Sequence, residues 1–178
     1  MPVERDQTIT IDCATTADCE SKQENSPLSP LLHTINSGQR LFIQTFATRM
    51  IPLPPAECVT RFVQESQRLG IDVRWTNEGM TNLDAAYLAL PGAPGVIKLR
   101  NGPQHPKPQQ LCKLLAHEMV HVLQHWKGDL RATPPLGWPK GGAPEGRRLS
   151  PQEAEAYTAQ STPAKVLQAI SELQPFNP

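Results

Sequence analysis

His117-Glu118-Met119-Val120-His121 sets two imidazoles four residues apart, with a carboxylate beside the first. On an α-helix each residue advances about 100°, so the two histidines stand one turn apart and roughly 40° around the axis. Both can then reach one metal ion from the same face. Glu118 projects too far round to complete that tripod, but is placed to take a proton from a water held there. The pattern predicts a metal-binding pair, His117 and His121, and a general base, Glu118.

A catalytic zinc ion takes three protein ligands and keeps a fourth position open for water. The downstream candidates are His125, Asp129, Glu145, Glu153 and Glu155. His125 lies two turns from His117, about 12 Å along the axis, and cannot share an ion with both other histidines. It is expected to pack or to line the cleft. Ser150-x-x-Glu153 also reads as a capping box, in which the glutamate side chain returns to the Ser150 backbone N–H. In that case Glu155 is the substitute ligand.

These residues resemble the gluzincin branch of the zincin metallopeptidases. There, H-E-x-x-H on one helix is completed by a glutamate from a later helix, often within E-x-x-A followed by Asp or Asn. Glu153-Ala154-Glu155-Ala156-Tyr157 matches that pattern from Glu153 through Ala156 and departs from it at Tyr157. The departure leaves open what orients the neighbouring histidine. The longer H-E-x-x-H-x-x-G-x-x-H of metzincins is not matched, since Gln124 and Lys127 stand where its glycine and third histidine belong.

The resemblance implies Glu153, in preference to Glu155, as the third ligand to one zinc ion per chain. It implies hydrolysis of peptide bonds in a peptide or protein substrate by a metal-activated water, with Glu118 as base. It further implies that the strand before the motif helix, here Val96–Arg100, is an open sheet edge that pairs with extended substrate. Two alternatives compete. One is a zinc-stabilised binding or regulatory protein on the same scaffold, without efficient hydrolysis. The other is an N-terminal tail that restrains the enzyme, with Cys13 or Cys19 in the open metal position.

The motif sits in a helical stretch from Gln109 to about Lys127, closed by Gly128. Leu111, Leu114, Leu115, Ala116, Met119 and Val120 are among the residues that make most of its circumference apolar, as in a buried helix. One polar stripe remains: Gln110, Lys113, His117, His121, Gln124 and His125. That combination is expected of a helix lining a catalytic cleft.

Upstream, helical spacing runs over residues 31–48 and again from Ala56 to Leu69, closed by Gly70. Ile71–Trp75 alternates as a half-buried strand does. Tyr87–Leu90 and Val96–Arg100 flank a Pro- and Gly-rich turn and read as a hairpin. Residues 129–149 read as one long loop, followed by helices starting at Ser150-Pro151 and at Pro163. The fold class expected is α+β and zincin-like: a small, mostly antiparallel sheet on a buried active-site helix, with a C-terminal helical part. Residues 1–27 are polar and read as a mobile tail, and 28–178 as a single zincin-like metallopeptidase domain.

The chain of 178 residues balances 17 Lys and Arg against 17 Asp and Glu, which gives no basic footprint for nucleic acid. No apolar run is long enough to span a bilayer, and residues 1–6 lack the features of a secretory signal. A cytoplasmic protein without a membrane or nucleic-acid partner is expected. The four cysteines, at scattered spacing, are expected to be free thiols. The 19 prolines and 11 glycines point to many turns and short helices.

Overall fold

The computed structural model of the protein describes residues 9–12, 53–141 and 148–177. The helical spacing over 31–48 lies outside them, as do Cys13, Cys19 and Glu145. Within the segment expected to be a tail, Ile9–Asp12 forms a strand, β1. The described elements that follow are α1 (Pro55–Arg68), β2 (Asp72–Thr76), β3 (Ala85–Ala89), β4 (Val96–Arg100), α2 (Pro108–Lys127), α3 (Pro151–Ala159) and α4 (Pro163–Ser171). The architecture is α+β.

Each of the four described helices opens on a proline. The first N–H groups of a helix have no partner inside it, so a proline there removes no bond. The prolines thus mark element starts; α3 and α4 are short, at nine residues each, while α1 runs 14 and α2 20. At the start of α2 the Gln110 side chain accepts from the Lys107 backbone N–H at 3.2 Å. Gly128 ends the helix where the returning chain comes close. A Cβ there would lie 2.2 Å from the Ala132 carbonyl oxygen, so only glycine fits.

The strands lie in the order β1-β3-β4-β2. β1 and β4 both run antiparallel to β3, while β2 runs parallel to β4, so the sheet is mixed, with its antiparallel pairings in the majority. The β3–β4 hairpin turns through Gly92, at φ 82°, and is drawn in at Gly95, where a Cβ would lie 2.3 Å from the Leu88 carbonyl oxygen. Val96–Arg100 was expected at an open edge; it lies instead inside the sheet, between β3 and β2. The local pattern of β4 does not signal this, because its other side is covered by the parallel strand β2, from a separate stretch of the chain.

α2 is the hub. It packs against α1, α3, α4 and β3, which explains why its apolar residues cover most of its circumference. Leu115, Ala116, Met119, Val120 and Val122 are fully buried, beside Phe62 of α1, Tyr87 of β3 and Ile170 of α4 in one core. Arg68, near the end of α1, donates to the carbonyls of Ile170 and Leu173, tying α1 to the end of α4. The expectation of free thiols is corrected for one pair. Cys58 of α1 and Cys112 of α2 form a buried disulfide with a Cα–Cα separation of 5.7 Å. Helix packing brings the two together across 54 residues of sequence, a proximity that spacing along the chain does not encode. Among the described residues no helix is long and apolar enough to cross a membrane.

Candidate metal centre

His117 and His121 lie in the middle of α2, both fully buried, with their rings 5.0 Å apart. Glu153 comes from the first turn of α3, which packs along α2. Ser150 caps α3 by accepting from the Glu153 backbone N–H at 3.2 Å. Only this half of the capping box forms. The Glu153 side chain turns the other way, its two oxygens lying 3.3 Å from His117 Nε2 and 3.2 Å from His121 Nε2. Donor atoms of His117, His121 and Glu153 all fall within 4.8 Å of one another, so the group could hold a metal ion.

The back of each imidazole is held by an amide. His117 Nδ1 faces Gln160 Oε1 at 3.3 Å, and His121 Nδ1 faces Gln124 Oε1 at 2.9 Å. An amide oxygen only accepts, so each Nδ1 carries the proton, and in a neutral ring Nε2 is then a bare acceptor. Both Nε2 atoms and both Glu153 oxygens are buried without a hydrogen bond. Acceptors thus converge on acceptors, and a cation is what such a set needs: a proton, or a metal ion. Two imidazoles and one carboxylate are a donor set that divalent transition-metal ions accept.

The electrostatics agree. Burial works against charge on Glu153, but the two imidazoles beside it outweigh this and hold its carboxyl down at about 2. Burial likewise opposes charge on both histidines. For His117 burial prevails, and its pKa falls below the ordinary value. For His121 the Glu153 carboxylate beside its Nε2, with the charge of Glu118, prevails and raises it. Glu118 is fully buried on α2 next to the pair.

Glu155 is not part of this cluster. Its buried carboxylate points to the loop after α2, accepting from the backbone N–H groups of Leu136 (2.7 Å), Gly137 (2.7 Å) and Trp138 (3.1 Å). His125 is likewise apart: Tyr87 of β3 lies with its hydroxyl 2.8 Å from His125 Nδ1. Burial pushes the Tyr87 hydroxyl well up, so it keeps its proton. The polar stripe of α2 is therefore buried under α3 and β3 over its second half, from His117 to His125, and only Gln110 and Lys113 are half-exposed.

Tyr157 departs from the resembling pattern because the two histidines find other partners. Its ring packs edge-on against His117 at 4.8 Å, while Gln160 and Gln124 supply the hydrogen bonds. Gln124 was legible as part of the polar stripe, one turn after His121. Gln160, at the end of α3, carries no pattern that singles it out. Comparisons with family models, with curated proteins and with solved structures match this chain to none of them.

Proposed function

We propose that the chain is a zinc-dependent peptidase of the zincin type, with His117, His121 and Glu153 as ligands and Glu118 as general base. The observation that carries this reading is the convergence of two buried Nε2 atoms on the Glu153 carboxylate, at 3.3 and 3.2 Å. His117, His121 and Glu153 would hold the ion with three protein ligands, the number that catalytic zinc sites use. Zinc, when bound, supplies Lewis-acid chemistry that acidifies a water and polarises a carbonyl.

The chain's own groups do the rest. The glutamines hold the two imidazoles with Nε2 toward the Glu153 carboxylate, the side from which His117, His121 and Glu153 would hold the ion. Glu118 lies one residue from His117 and three from His121, off the ligand face, where its carboxylate can take the proton from the attacking water and pass it to the leaving amine. Its burial strengthens every charge interaction it makes. Metal binding alone does not call for this carboxylate.

One observation favours a second reading, a metal-stabilised binding or regulatory protein: His117, Glu118 and His121 are fully buried, and purely structural metal sites are closed. A peptide-library cleavage assay separates the two readings. Cleavage that a chelator abolishes and added zinc restores supports the peptidase. A zinc-loaded, folded chain that cleaves no peptide contradicts it and favours the second reading.

A further inference from the structure

The loop after α2 packs Leu136 and Trp138 against the core and is fastened by polar bonds at several further points. Lys127 donates to the carbonyls of Pro135 (2.7 Å) and Leu136 (3.2 Å), Gln152 to that of Thr133 (3.0 Å), and the Gly141 N–H to the Thr158 hydroxyl (2.8 Å). The strongest anchor is the Glu155 carboxylate, which gathers three consecutive backbone N–H groups at residues 136–138. Charge-assisted bonds of this kind are about twice as strong as neutral ones.

The same carboxylate has a fourth donor, and that one leads to the metal centre. Gln124 Nε2 donates to Glu155 Oε2 at 3.1 Å and to the Gln152 carbonyl at 3.1 Å. Both partners are acceptors only, so the amide's NH₂ must face them and its oxygen must face the other way, toward His121 Nδ1. An inverted amide would set an oxygen against a carboxylate and a carbonyl, inside the core, where unpaired acceptors are costly. The orientation of Gln124, and with it the tautomer of His121, therefore follows from hydrogen-bonding chemistry alone.

We propose that Glu155 is a positioning residue that couples the 129–141 loop to the metal centre, its carboxylate clamping Leu136–Trp138 on one side and fixing the Gln124 amide, hence the bare Nε2 of His121, on the other. Glu155 stands here in place of the acidic group that in many metal sites bonds a histidine directly; in this chain the carboxylate acts through an intervening amide. The coupling deepens the metal-site reading above, but its core claim concerns the metal-free chain.

The test reads the ring nitrogens of ¹⁵N-histidine-labelled, metal-free, full-length protein by NMR at alkaline pH, where the imidazoles are neutral. The parent should show His121 in the Nδ1–H form. In Glu155→Gln the new NH₂ group competes to face Gln124, so His121 should become a mixture of tautomers, and zinc affinity should fall about 10–100-fold. A folded Glu155→Gln protein whose loop becomes protease-sensitive while His121 stays wholly Nδ1–H would overturn the coupling and leave Glu155 a loop clamp only.

Should Glu155→Gln fail to fold, Gln124→Met removes the amide and leaves the three loop bonds in place. His121 should then lose its single tautomer while the loop stays protease-resistant; an unchanged tautomer overturns the proposal. Lys127→Met, which loosens the loop away from Gln124, should leave His121 unchanged, and a matching change there would also overturn it. A chain that takes no zinc but shows these tautomer changes contradicts the proposed function and leaves the coupling standing.

Discussion

Glu153 faces His121 across 3.2 Å, carboxylate oxygen to ring nitrogen, with both atoms buried. Without a metal ion the pair is satisfied only while His121 carries an extra proton. The metal-free chain should reveal this in its stability.

Glu153 is held at about 2, below its ordinary 4.5, so its contribution is complete above 4.5 and is lost as pH falls toward 2. His121 is raised above its ordinary 6.5, so its contribution is complete below 6.5 and is lost as pH rises through the raised value. The ion pair is fully formed between 4.5 and 6.5. There the metal-free parent should exceed Glu153→Gln most in unfolding midpoint. At alkaline pH the carboxylate faces two lone pairs, whereas a glutamine can donate, so the variant should become the more stable. A parent that keeps its full lead in alkali would contradict the acceptor-facing-acceptor geometry.

Glu118→Gln removes the proposed base and keeps every proposed ligand. Zinc content and melting temperature should hold at or above parent levels, since an amide is easier to bury than a carboxylate. Peptide hydrolysis should fall about 10²–10⁴-fold, the usual cost of losing a general base. Steady-state kinetics on any substrate found by library screening make the comparison, and parental turnover in the variant would remove Glu118 from the mechanism.

The Cys58–Cys112 disulfide joins α1 to α2, the helix of His117 and His121, and closes a loop of 54 residues. Constraining the unfolded chain over that span contributes about 4 kcal/mol in the chain-entropy account. The double variant Cys58→Ala with Cys112→Ala should unfold at correspondingly lower urea. Alkylation of the denatured, unreduced protein should label no more than two of the four cysteines, and labelling of all four would deny the bond.

Much of this was legible in the sequence where the signal is local. The helix expected from Gln109, which starts one residue earlier at Pro108, the hairpin around Pro91–Gly95 and the helix starts at Pro151 and Pro163 follow from periodicity and proline placement. H-E-x-x-H sets the two histidines on one face because four residues is close to one helical turn. The choice between Glu153 and Glu155 was not local: both fit α3, and only its packing angle on α2 turns Glu153 to the histidines and Glu155 to the loop. The disulfide and the interior place of β4 depend likewise on how distant elements meet. Gln160 escaped notice because an amide at a helix end is an ordinary surface residue until a buried imidazole needs an acceptor.

The most direct measurement is the metal content of the purified chain, with zinc affinity for the parent and for His117→Ala, His121→Ala and Glu153→Gln. The account predicts close to one tightly held zinc per chain, set by three protein ligands. Each variant should lose most of it while remaining folded by circular dichroism. Glu155→Gln should fall between them and the parent. A folded parent that takes no zinc, or variants that retain the parent's full content and affinity, would contradict the assignment of His117, His121 and Glu153 as a metal centre.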